Sequence, residues 1–134
     1  MANRHTKSAE EIAGLERVVD TLAPDIQKVI ATRIATFAKA KDDNFSIDPF
    51  TIMAILNCII AIVKLLYMCY SKESIASKIS SDSILHKLLL KREIRKQFKD
   101  KKERKALYDA MLDVSKQLSK TEKKNLIESI IGDK

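Results

Sequence analysis

Oxygen-bearing side chains alternate at Asp42, Asn44, Ser46 and Asp48, as they do in a calcium loop. Such a loop needs Gly at its sixth place and Glu at its twelfth. Here Ile47 and Met53 stand there, so no calcium is expected. His5 and His86 form no metal-spaced pair, and neither Cys58 nor Cys69 has a histidine near it in sequence. Gly14 and Gly132 lie too far apart for a phosphate-cradling loop. No serine sits in a nucleophile elbow. Glu10 and Glu11 suit helix capping and the helix dipole better than acid–base work. The expectation is no catalytic site, no metal, no cofactor and no enzyme activity. His86 reads as a solvated residue at a helix start, and His5 as terminal.

The chemistry that remains is charge. The chain carries a net +7, and Lys87 to Lys105 alone holds ten basic and three acidic residues. Residues 1–63 are close to neutral, with seven basic and eight acidic residues. At helical spacing, Leu90, Ile94 and Phe98 share one face, while Arg92, Arg95, Lys96 and Lys99 share roughly the opposite one. With Lys91 and Lys102 they make a ridge able to contact phosphates without reading bases, or an acidic protein or lipid surface. The bland alternative is a solvated helix face, since Lys and Arg are good helix formers. Phe98 is the only aromatic in the segment, which argues against single-strand stacking.

These residues must be positioned by helices. Of 134 residues, 46% are apolar, with only two Gly and two Pro, too few for a turn-rich β fold or a linker-like chain. The expected fold is all-α: a bundle of about five to six helices in one domain over 1–134. Residues 1–44 read as an N-terminal helical pair, 45–71 as an apolar central helix, and 72–134 as a basic C-terminal helical region.

Ser8-Ala-Glu-Glu11 is a capping box for a helix carrying Ile12, Leu15, Val18, Val19 and Leu22. Pro24 ends that helix and suits the first turn of a second, striped by Ile26, Val29, Ile30, Ile34 and Phe37. Residues 41–44 read as a loop. Asp48-Pro49 is a cap followed by a good first helical residue, and opens a helix to about Ser71. Residues 71–83 read as a connector with room for a short helix. Asp82 or Ser83 then caps a helix from Ile84 towards 99. Asp100-x-x-Glu103 precedes Leu107, Met111, Val114 and Leu118, and Ser119-x-x-Glu122 precedes Leu126, Ile127, Ile130 and Ile131. Gly132 suits a helix stop.

Between Phe50 and Tyr70 the only charge is Lys64. That length suffices for a bilayer, with Phe50, Tyr67 and Tyr70 near the two ends as interfacial anchors would be. The periodicity favours a soluble bundle core or a protein interface. Ile52, Ile55, Ile59, Ile62 and Leu66 form one seam, and Ala54 and Ala61 lie on a smaller-residue seam that allows close approach of a neighbour. Asn57, Lys64 and Ser71 fall seven apart on one polar edge. Roughly a dozen apolar residues at about −0.3 to −0.6 kcal/mol each favour insertion, and Lys64 opposes it by about 2.5–3.5 kcal/mol. Eleven helical residues separate Cys58 from Cys69 by about 16 Å, too far for a disulfide, so both read as reduced, buried thiols.

Asp-Pro-Phe-Thr-Ile from Asp48, followed by Leu88-Leu-Leu-Lys-Arg-Glu-Ile-Arg-Lys96 and a helical tail, resembles small uncharacterised proteins of tailed bacteriophages, over about residues 47–131. The resemblance implies a virion or phage-assembly context and no catalytic residues. The overall expectation is a non-enzymatic structural or assembly protein in a virion or host cytoplasm. Its partners would be proteins, in a homo- or hetero-oligomer, with DNA or another anionic surface along 87–105. The alternative is a membrane protein with one span at 50–70 and a basic cytoplasmic tail.

Overall fold

The computed structural model describes residues 26–132. The capping box at Ser8, the stripe from Ile12 to Leu22, Pro24 and His5 lie outside the described residues. Among these residues there are six helices and no strand: α1 (Ile26–Lys41), α2 (Pro49–Cys69), α3 (Lys72–Lys78), α4 (Ile84–Gln97), α5 (Lys101–Gln117) and α6 (Lys120–Ile131). The chain is an all-α bundle.

Side-chain caps fix most helix starts. The Asp48 carboxylate accepts from Thr51 N at 2.7 Å and from the Ser46 hydroxyl at 3.0 Å. Pro49 follows, where a missing N–H costs nothing. Asp42 likewise accepts from Asn44 N at 3.1 Å. The two end carboxylates of the calcium-like alternation are thus spent on turning the loop and starting α2. Ser71 caps α3, which occupies the expected connector, and Ser83 caps α4 through His86 N. Asp100 caps α5 through Lys102 N at 2.8 Å. Ser119 and Glu122 form a complete capping box on α6, with bonds of 3.1 and 2.9 Å. That backbone bond holds the Glu122 carboxyl below its usual pKa. Gly132 stops α6 at a positive φ of 91°, a conformation that favours glycine.

α2 is the hub. α1, α3, α4 and α6 all pack on it, while α1 lies along α5. Ile52, Ile55, Leu56, Cys58, Ile59, Ile62, Val63 and Leu66 are buried. From the facing helices come Ile30 and Ile34 of α1, Leu90 and Ile94 of α4, and Leu126 and Ile127 of α6. The 4-3-4 stripe of α5, Leu107 to Leu118, is buried as its spacing predicts. On α1, Ile30 and Ile34 are buried as their spacing predicts, and Ala31, Ala35 and Ala38 extend the seam, while Phe37 is half-buried and Val29 faces outward. The alanines let α1 approach its neighbours closely. The α4–α5 corner is fixed by Phe98, whose ring stacks on Phe45 at 6.2 Å between centroids.

α2 is also long and apolar enough to cross a membrane, the one such helix among the described residues. Its enclosed side is covered by this chain's own helices. Its outer side keeps Phe50 (79% exposed) and Met68 (80%) in the open, with Met53 between.

The cysteines differ. Cys58 is buried, and desolvation, with Glu93 nearby, pushes its thiol up to about 12. Cys69 is exposed, contrary to the buried thiol expected, because α2 turns its last residue outward where the helix ends. A thiol-exchange reagent at pH 8 is expected to label Cys69 in the folded protein and Cys58 only after unfolding; equal labelling of both would contradict this packing. Ile55→Ala is expected to lower stability to urea by about 2–5 kcal/mol, against under about 0.5 kcal/mol for Phe50→Ala.

Candidate functional site

α4 is anchored from inside. Leu90 and Ile94 are buried, and Phe98, one turn on, is buried at the corner. The Arg104 Nε donates to the Phe98 carbonyl at 2.6 Å, which locks the turn into α5. A rigid inner face leaves the outer face to solvent. There Lys91, Arg92, Arg95 and Lys96 surround one shallow depression together with Leu88, and Lys99 follows at the corner; all five cationic residues are exposed. Ile84 and Leu88 are exposed at the start of the same helix, so the outer face runs from apolar to cationic along its length.

Lys102 stands apart from this set. It lines a separate depression with Lys41, Asp42, Lys105 and Asp109. There Lys41 pairs with Asp113 at 2.8 Å and Lys105 with Asp109 at 3.7 Å. The corner at Phe98–Asp100 redirects the chain, so the sequence neighbours Lys99 and Lys102 face different surroundings. Five of the six expected contact residues therefore lie on α4 and its C-terminal corner, and the sixth shares a mixed-charge surface.

Within the ridge the cations are partly held. Glu93 is buried (4% exposed) between them. Its carboxylate lies 3.3 Å from the Lys96 ammonium and 3.9 Å from the Arg92 Nε. The Lys91 ammonium sits over the Tyr108 ring at 5.4 Å, a cation–π contact that leans it towards α5. No ion pair to a described carboxylate restrains Arg95 or Lys99. Sequence reasoning passed over Glu93, although His86, Leu90 and Glu93 recur at i, i+4 and i+7. That spacing was the available signal that a carboxylate falls on the inner face.

The expected apolar interface residues take a different place. Ile52, Ile55, Ile59, Ile62 and Leu66 are enclosed by α1, α3, α4 and α6, and Ala54 and Ala61 are half-buried. The large apolar side chains of α2 that reach solvent are Phe50, Met53, Tyr67 and Met68 instead.

His86 overturns its expected solvated position. It is 4% exposed, and its Nδ1 has no hydrogen-bond partner among the described residues. Ser83 starts α4 three residues earlier, which turns His86 inward against Ile79, Leu118 and Leu126 around a central cavity of about 40 Å³. Burial pushes its pKa down to about 4, and the positive charge of Lys123 adds to the effect. Among the described residues no group of three or more His, Cys, Asp or Glu side chains could hold a metal ion.

No protein-family model matches the chain, and neither a curated protein nor a solved structure matches it.

An exposed histidine in the unfolded chain takes up a proton near pH 6.5, whereas folded His86 resists until about pH 4. Its share of stability is therefore full above pH 6.5 and is lost as pH falls towards 4. The loss is expected to reach about 3 kcal/mol at most. Urea unfolding at pH 7 and pH 4.5 measures it, and His86→Leu should flatten the difference.

Proposed function

We propose that this chain is a non-enzymatic helical assembly protein that holds a polyanionic partner along the outer face of α4, with duplex DNA the partner favoured. The reading rests on one observation: five exposed cationic residues, Lys91, Arg92, Arg95 and Lys96 on α4 and Lys99 at its C-terminal corner, beside a helix whose inner face is buried. The four on α4 span five helical steps, about 7.5 Å. Duplex DNA carries one negative charge per roughly 1.7 Å of axis, so the ridge can meet several phosphates at once. Glu93 offsets the charge of only two members and fixes their heads in place. Such a contact positions a duplex and carries no base specificity. A virion or phage-assembly setting is proposed only from the resemblance of residues 47–131 to small tailed-phage proteins noted in the sequence. Phe50, Met53 and Met68 offer an apolar surface through which copies of the chain or other assembly proteins would associate.

The same exposed residues favour one second reading, a single-pass membrane protein in which α2 leaves the bundle and spans the bilayer. Extraction that needs detergent would support it; a defined oligomer purified without detergent would remove it.

For the DNA reading, Arg92, Arg95, Lys96 and Lys99 are replaced by Glu and affinity for a duplex is measured from 50 to 200 mM salt. The expected result is at least about a hundredfold loss at 50 mM, with a log–log salt slope shallower by about 3–4 units. Unchanged affinity and slope would rule out DNA at this ridge and leave an acidic protein as its partner.

A further inference from the structure

A groove of about 700 Å³ separates α3 from α6, within the range of small-molecule pockets. α3 and α6 run antiparallel across it. At one end the Lys72 ammonium donates to the Gly132 carbonyl at 2.6 Å. At the other, Ile79, just past α3, shares the central cavity wall with Leu118 and Leu126. The groove stays open because the α3 side presents short side chains, Ala76, Ser77 and Ser80. Ala76 and Ile127 supply its apolar floor.

Its two ends differ in charge. Lys120, Lys123 and Lys124 project from the first turns of α6 at one end. Glu73, beside Lys72, and Glu128 stand at the other. None of the three α6 lysines is ion-paired with a described carboxylate. Lys123 is half-buried, and desolvation lowers its pKa. Three lysines lining one end of the groove favour a dianionic head group. At the far end two carboxylates outnumber one ammonium, that of Lys72, which is engaged by the Gly132 carbonyl, so that end repels a second anion and favours an ammonium.

We infer that the α3–α6 groove is a binding site for a small bipolar phosphomonoester, its phosphate held by Lys120, Lys123 and Lys124 and its amine by Glu73 and Glu128. The site is separate from the α4 ridge and does not depend on that surface binding DNA. Long polyanions are disfavoured in it, because the acidic end blocks their continuation.

Calorimetry of the full chain at constant ionic strength tests this, with O-phosphoethanolamine as the probe and ethyl phosphate as the tail-less control. Saturable 1:1 binding of phosphoethanolamine is expected, about fivefold tighter than ethyl phosphate. Lys123→Gln with Lys124→Gln should weaken both ligands about tenfold or more, and Glu128→Gln should remove the preference between them. A protein with Arg92, Arg95, Lys96 and Lys99 changed to Gln should bind as the unaltered chain does. In the unaltered chain, amide NMR shifts should cluster at Ala76, Ser77 and Ile127, a readout independent of variant folding. Absence of saturable binding would overturn the proposal. So would equal affinity for the two ligands, or an equal loss in the α4 variant.

Discussion

Everything in this bundle depends on removing one side of α2 from water. Buried side chains of this size each contribute about 1.5–3 kcal/mol. Between Ile52 and Leu66, α2 carries eight buried side chains. No single neighbour could cover them. The short links after α4 and α5 bring successive helices back within reach, and the alanine face of α1 lets its backbone come close. α5, which packs chiefly on α1, forms a second layer that the hub does not touch strongly. The charged surface is the remainder of this arrangement: each covering helix turns its apolar stripe inward and its lysines outward.

Four polar side chains are buried among the described residues; Asp48 and Ser115 are satisfied by local backbone bonds, and the two that disturb that division both belong to α4. Glu93 is buried but sits under two cations, so its carboxylate keeps charged partners at the protein surface. His86 has no such partner at Nδ1, and remains inside only as the neutral imidazole. One inward-facing group thus organises the ridge above it, while the other makes the same helix sensitive to acid. An interior of aliphatic side chains leaves few ways to satisfy either, which is why a buried carboxylate must reach outward for its bonds.

Helix positions were largely legible because their punctuation is local. Asp48-Pro49, Ser83, Asp100 and the Ser119–Glu122 box each act within four residues, and each starts a helix where spacing placed it. Helix ends were less exact. α2 stops at Cys69 and α4 at Gln97, where no glycine marks the place and packing of the next segment decides. The apolar seams told which residues face inward, but not against what, since a periodic pattern does not name its neighbour. For that reason the Ile52–Leu66 seam read equally well as core and as interface. His86 and Cys69 were misread for a related reason: residue type suggested an environment, and the helix phase set by Ser83 and by the end of α2 overruled it. Lys102 was grouped with α4 by proximity in sequence, and the corner at Phe98 separated them.

That corner also bears on how the chain reaches its fold. Phe45 and Phe98 meet although α2, α3 and α4 lie between them in sequence. They are not alone in this: α1 packs along α5 and on α6, and α2 and α3 also pack on α6. Closing a long loop costs entropy that grows only logarithmically with its length, but that cost falls before the contact is made. The ring pair therefore belongs to a set of long-range closures that must all form before the bundle is complete. A helical bundle whose most extensive contact joins α1 to α5 has a higher contact order than a row of successive helix hairpins, and is expected to fold more slowly than one.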